Sequence, residues 1–271
     1  MAISIRLLLF VVGVFISTSA LGEQLGNNLL QALELSENRD TLLKYNGNRR
    51  ILDLSKYDEL SNIQVIGREA FANNLYITEV TLPRHVHVIG NGAFAGCKKL
   101  TKVNMPDTVN HIGASAFWEC DKLKMSELPK ELKSIDENAF VKCSNISITE
   151  IPNGVTTIGV RAFAYCDNIT SIKLPPRLES IPRLIFFKCA KLKVIDIPES
   201  IRRIGHSAFY GCEHLTELFL PKESCEIEGN PFAGCSHLRR IYISPNTFAT
   251  PFKGLSGTAT VDINSNVFIK Y

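Results

Sequence analysis

The sequence predicts an α/β repeat solenoid of short stacked coils, capped at both ends. The first observation is a column of aromatics: Phe71, Phe94, Phe117, Phe140, Phe163, Phe186, Phe209 and Phe232 stand 23 residues apart, with no insertion or deletion. The second is that other columns keep the same step. An Ile precedes each Phe by five residues, from Ile66 to Ile227, and a Cys follows by three in seven units, from Cys97 to Cys235. A Pro follows by twelve, from Pro83 to Pro221. One extra residue would turn every later side chain off the core, so such a period is needed only by identical units stacked on one another. The third is the charge pattern. Formal net charge is +3, with acids and bases interleaved and no long run of either sign. That leaves no basic face for nucleic acid.

Taken in order, residues 1–22 read as a secretory signal peptide. Arg6 gives a short positive start, Leu7 to Ile16 is apolar, and Ala20 and Gly22 suit the −3 and −1 cleavage positions. The alternative is an uncleaved anchor, but the apolar run is well short of the ~20 residues that span a bilayer, and no later segment is apolar enough. The expected product is secreted or displayed at the cell surface, with no transmembrane span. Residues 23–62 are expected to form the N-terminal cap. Leu25, Leu29, Leu30 and Leu33 have near-helical spacing, and Thr41 to Leu54 reads as a hairpin about Asn46-Gly47.

Residues 63–243 hold eight units, and Leu100 to Cys120 shows how one folds. Val103 and Met105 alternate as in a half-buried strand, and Pro106 ends it because it cannot donate to a continuing ladder. Val109 and Ile112 form a second extended piece, and Gly113 turns the chain, as Gly does in five of the eight units. Ala116, Phe117 and Cys120 then have the spacing of a short helical turn. Strand, turn, extended segment and helical turn make one coil of a right-handed solenoid with a parallel strand ladder. At about 4.8 Å per rung, eight coils give a core roughly 35–40 Å long. Residues 244–271 are the C-terminal cap, with Val261, Ile263, Val267 and Ile269 suggesting a closing hairpin.

The consensus L-x-x-V-x-L-P-x-x-V-x-x-I-G-x-x-A-F-x-G-C, carried in phase from Ile63 to Ile243, resembles the BspA-like leucine-rich repeats. Leu43 to Gly47 also resembles the lead-in to such arrays. The resemblance implies a horseshoe-like solenoid used for protein binding and adhesion, with no catalytic residues to carry over. Two departures stand out. Ser126 and Thr149 occupy positions that are aliphatic in the family, so either the strand twists locally or a polar group is tucked inward and hydrogen-bonded. At Phe186, Pro182 replaces Gly and Ile185 replaces Ala, which points to a wider turn there.

Eight cysteines in an exported chain usually suggest disulfides. Here the column spacing favours a ladder of buried free thiols, since neighbours one rung apart are too far for unstrained bonds. His85, His87 and His111 lie on neighbouring rungs but at different offsets, and metal binding is not expected of them. No nucleophile elbow or phosphate loop is present, so neither an enzyme nor a cofactor is expected. Sequons at Asn145 and Asn168 fall one unit apart and are candidate glycosylation sites.

The candidate partner-binding face is the solvent side of the ladder, eight and ten residues after each Phe. It comprises Met125, Glu127, Ile148, Glu150, Lys173, Val194, Asp196, Phe219, Arg240 and Tyr242. Met125 with Ile148, and Phe219 with Tyr242, are expected to form exposed apolar patches suited to an extracellular or cell-surface protein. For Phe219 the alternative is packing under the final loop. A self-associating matrix component and an inhibitor of an extracellular hydrolase are the other readings.

Overall fold

The computed structural model describes residues 29–221, 225–243, 260–261 and 267–270. The expected signal peptide, residues 1–22, lies outside them. No helix among the described residues is long and apolar enough to cross a membrane.

The chain is a β-solenoid of stacked coils in which each coil contributes three rungs. The leading rung ends on the Ile column. Thr41–Tyr45, Val65–Ile66, Val88–Ile89, His111–Ile112, Ser134–Ile135 and Thr157–Ile158 pair in parallel, each coil directly over the last. Leu33–Leu35 pairs antiparallel with Thr41–Tyr45 and closes that edge. The trailing rung lies eight to ten residues after the Phe, as in Glu79–Thr81 paired with Lys102–Asn104.

The third rung replaces the helical turn expected around Ala-Phe-x-x-Cys. No helix forms in that segment of any coil among the described residues; the 3-10 turns Leu54–Lys56 and Asp58–Leu60 follow the first trailing strand instead. Instead the N–H groups alternate in direction. In the coil of Phe71, Ala70, Ala72 and Asn74 donate to carbonyls three residues back, closing successive tight turns. Glu69, Phe71 and Asn73 donate to Asn91, Ala93 and Ala95 of the next coil at 2.9, 2.7 and 2.7 Å. An α-helix would spend all these donors within the coil. Here half of them join coils together, and left-handed backbone on either side of the Phe makes the alternation possible. Ser115 and Glu119, two residues before and after Phe117, have φ of 55° and 57°. Gly96, Gly211 and Gly234 hold the second position in three other coils, where lacking a Cβ removes the penalty.

The core follows the columns. The eight Phe rings stack down the axis with centroids 4.8 to 5.9 Å apart, all within 16° of parallel. All eight are buried, as are the flanking Ala and every Ile of the column except Ile227, which is half-buried. Tyr45 plugs the N-terminal end, tilted 47° against Phe71 at 5.6 Å, with its hydroxyl accepting from the Arg49 N–H.

Three expectations are corrected. The hairpin about Asn46-Gly47 does not form: Thr41–Tyr45 joins the leading ladder, and Ile51–Asp53 joins the trailing ladder in parallel with Glu79–Thr81. Gly47 is needed because a Cβ there would collide with the Tyr45 ring. The helical turn is a hydrogen-bonded rung, as above. Met125 and Ile148 point inward, with 9% and 0% exposure, while Ser126, Thr149 and Glu127 are exposed. In these two coils the apolar residue precedes the usual inward position by one, and a one-residue slip exchanges the faces of a strand. The trailing ladder is interrupted there and resumes through the single bridge Glu150 to Lys173.

Pro182 has a separate effect. The residue at its position elsewhere donates to the Ile of the preceding coil, as Gly159 does to Ile135 at 2.8 Å. Proline has no N–H to offer. The leading ladder therefore stops at Ile158 and restarts as Ser180–Ile181, Arg203–Ile204 and Glu226–Ile227. Ring separation widens to 5.8 and 5.9 Å on either side of Phe186, where Ile185 replaces Ala. At the far end Arg240–Ile243 pairs antiparallel with Val267–Lys270, which pairs in turn with Thr260–Val261.

Candidate functional site

The trailing rungs present one row of side chains per strand to solvent. Toward the C-terminal end Ser171–Lys173 pairs with Val194–Asp196, and Glu217–Phe219 with Arg240–Ile243. Register places Phe219 directly opposite Tyr242, and their rings stack at 4.1 Å and 2°. Phe219 is 56% exposed and Val194, one coil earlier, 57%. Such exposure is hard to explain by folding, because both residues lie in strands whose other face already holds the core. The final loop, under which the alternative would pack Phe219, lies outside the described residues.

Charged groups fence the apolar pair. The Tyr242 hydroxyl donates to Glu217 Oε2 at 3.3 Å, and Arg240 Nη2 lies 3.6 Å from the same oxygen. Lys173 Nζ reaches Glu150 Oε1 at 3.2 Å, and Asp196 is exposed between the two groups. Ion pairs this exposed stabilise by ~0–1 kcal/mol, so their importance is to orient charge around the rings. Of the ten expected face residues, Glu127, Glu150, Lys173, Val194, Asp196, Phe219, Arg240 and Tyr242 reach the surface, and Met125 and Ile148 do not. Among those ten, the exposed apolar residues lie in the C-terminal coils; at the other end of the same face Ile51 is exposed alone, opposite Glu79.

Other candidates fall elsewhere. The cysteines are free. Each column thiol donates to the carbonyl of the Phe one coil back, at 3.0 to 3.2 Å from Cys97 through Cys235. Burial pushes the Cys97, Cys189 and Cys235 thiols up to about 12, and Cys143 higher still. They are inert core donors. His111 Nδ1 lies 2.7 Å from Ser134 Oγ and its Nε2 3.4 Å from Asp136, whereas His87 Nδ1 faces the Thr108 carbonyl at 3.1 Å. No group of three His, Cys, Asp or Glu among the described residues is arranged to hold a metal ion. Asn145 donates to the Asp121 carbonyl at 2.6 Å, and Asn168 to Asn145 Oδ1 at 3.4 Å, so the two sequons share one ladder of carboxamides.

A second aromatic cluster was missed by sequence reasoning. Tyr165, Phe187 and Tyr210 stand on the turn edge of three successive coils. Phe187 and Tyr210 stack at 5.0 Å and 12°, Tyr165 meets Phe187 edge-on at 5.4 Å, and Lys188 Nζ lies 5.9 Å from the centroids of Tyr165 and Phe187. The signal was available: four units carry an aromatic in the two positions after the Phe, and beyond Trp118 the other three are consecutive.

Compared with known proteins, residues 64–190 and 156–268 match the family model of the BspA type leucine rich repeat region, in six copies. The chain is similar to a leucine-rich-repeat protein of T. pallidum, TpLRR, at 27% identity and a TM-score of 0.61, covering 76% of this chain and 86% of that one. It is similar also to a leucine-rich-repeat protein of Bacteroides ovatus, at 27% identity and a TM-score of 0.51, covering 78% and 69%. No curated protein matches it significantly.

Proposed function

The chain belongs to the BspA-type leucine-rich-repeat family, and from that premise we propose that it is a secreted or cell-surface protein that binds another extracellular protein, in adhesion or recognition. It serves as a non-enzymatic scaffold. The coils wind right-handed and curve as a horseshoe, a reading supported by the strong preference of parallel strands for right-handed crossovers. The binding surface is the trailing-rung face of the last coils. The observation that carries this is the exposed Phe219–Tyr242 stack beside Val194, fenced by Glu217, Arg240, Lys173 and Asp196. Aromatic anchors ringed by charge are the usual energetic centre of a protein interface.

The test is a paired pull-down from cell-surface extracts, using the chain from Glu23 and its Val194→Asp/Phe219→Asp/Tyr242→Ser variant. A protein retained by the first and lost by the second, with circular dichroism unchanged, is the expected result. A set of captured proteins identical for both chains refutes this face as the binding surface. Retention of the chain inside cells that export other proteins refutes the localisation.

A further inference from the structure

We propose that the turn edge of the three coils centred on Phe163, Phe186 and Phe209 is a second docking surface, and that it takes an acidic, apolar-bearing segment of a partner protein. Three observations meet there. The first is aromatic exposure: Tyr165 and Tyr210 are more than a third exposed, and Phe187 is half-buried between them. The folding pattern does not require these rings, because Ala or Gly fills the equivalent positions in the coil of Phe94.

The second is charge. Residues 160–166, 183–189 and 206–212 contain Arg161, Arg183, Lys188 and His206 and no Asp or Glu. Three of the other five turns carry an acid, at Glu69, Glu119 and Glu137, and the remaining two carry no cation. Inter-coil hydrogen bonds put these groups side by side: Arg161 N–H donates to the Arg183 carbonyl at 3.3 Å, Leu184 N–H to His206 at 3.1 Å, and Lys188 N–H to Tyr210 at 2.6 Å. All four basic side chains are exposed. None of Arg161, Arg183 and Lys188 forms an ion pair among the described residues, in contrast to Lys142, which reaches Glu119 in the preceding coil. Unpaired cations gathered beside exposed rings fit a partner of opposite charge.

The third is ring orientation, which selects the class of partner. Sugars and nucleobases stack on aromatic faces. Phe187 and Tyr210 cover each other's faces, and Lys188 lies over that of Tyr165. These contacts occupy a face of each ring and leave the edges, which carry the positive side of the aromatic quadrupole, as the contact common to all three. Edges and guanidinium groups together favour carboxylates flanked by apolar side chains over a stacked sugar or base. The surface is separate from the trailing-rung face, so the two readings stand or fall independently.

The experiment is fluorescence anisotropy on the full chain, with a short labelled peptide of Glu, Asp and Leu as probe. A Lys-for-acid counterpart and a heparin oligosaccharide serve as competing arms. The acidic peptide should bind, weaken as salt rises, and lose affinity about tenfold or more in Arg161→Glu/Arg183→Glu/Lys188→Glu. Tyr165→Ala/Phe187→Ala/Tyr210→Ala should weaken it comparably, and Phe219→Asp should leave it unchanged. If the triple reversal perturbs folding, the single changes Arg161→Glu and Lys188→Glu carry the test, each expected to weaken binding severalfold. Absence of acidic-peptide binding, preference for heparin, or indifference to the charge reversals would overturn the proposal.

Discussion

Replacing Phe140 with Ala tests the stacked core directly. Its ring is fully buried at a central rung, 5.2 Å from Phe117 and 5.4 Å from Phe163. A phenylalanine side chain removes ~150–250 Å² from water. At ~25 cal/mol per Å² this corresponds to about 4–6 kcal/mol, of which Ala recovers a small part. Two ring pairs are lost as well, each contributing ~0.5–1.5 kcal/mol beyond area. Partial collapse of the cavity offsets some of this, and large-to-small core changes of this type cost about 3–5 kcal/mol. Urea unfolding followed by circular dichroism gives the shift in midpoint and the slope. Phe219→Ala is the internal control: its ring is more than half exposed, so it should shift stability by less than ~1 kcal/mol. A stack coupled only between neighbours also predicts a shallower transition for Phe140→Ala, because the two halves lose part of their shared interface. A wild-type midpoint for Phe140→Ala, or a loss no larger than that of Phe219→Ala, would refute the stacked-column account of stability.

Three further outcomes follow from the same coordinates. Met125→Asp should lower stability by more than ~2 kcal/mol, because it buries a carboxylate without a partner, whereas Phe219→Asp on the outer face should be tolerated; thermal melts of both decide whether the slip in that coil is real. Thiols held protonated in the fold and ionising near 9 when unfolded make the native state lose stability as pH rises above about 9, by roughly 1.4 kcal/mol per buried thiol at pH 10; unfolding titrations between pH 7 and 10, with iodoacetamide labelling that stays slow in the native chain, measure it. Ser115→Gly should stabilise by ~0.5–1 kcal/mol, since Ser115 holds φ of 55° where the preceding coil uses Gly92, and a raised melting temperature is the expected reading.

The period was legible because every column repeats it. Phe, Ile and Cys each announce the same 23-residue step, and no competing local signal disturbs it. The slip at Met125 and Ile148 was less legible, although Ser126 and Thr149 flagged it. Which of two adjacent residues turns inward depends on the cavity each would fill, and a period of two gives no preference once the aliphatic residue has moved by one. Asn46-Gly47 misled for a different reason. Asn-Gly is a strong local turn signal, yet here its glycine makes room for a ring two residues away. The helical turn failed because Ala-Phe-x-x-Cys reports only which side chains face inward. It does not report where the N–H groups go, and in the stack half of them bridge to the next coil. The turn-edge aromatics were visible as letters, but their gathering with three cations needed the coils laid side by side.

Three interruptions in the ladders fall at different heights: two on the trailing side, near Met125 and Ile148 and between Val194–Asp196 and Glu217–Phe219, and one on the leading side at Pro182. Where the trailing rungs part, near Met125 and Ile148, the leading rungs His111–Ile112, Ser134–Ile135 and Thr157–Ile158 run on unbroken. Where Pro182 opens the leading side, Ser171–Lys173 and Val194–Asp196 remain joined, and Phe163 N–H still reaches the Ile185 carbonyl. The joints are offset like those in coursed brick. No plane cut straight across the stack meets two gaps at once, so bending at any of the three sites works against an intact seam on the other side. A rod of this kind transmits a pull applied at one end to the other with little yield at its weakest coils.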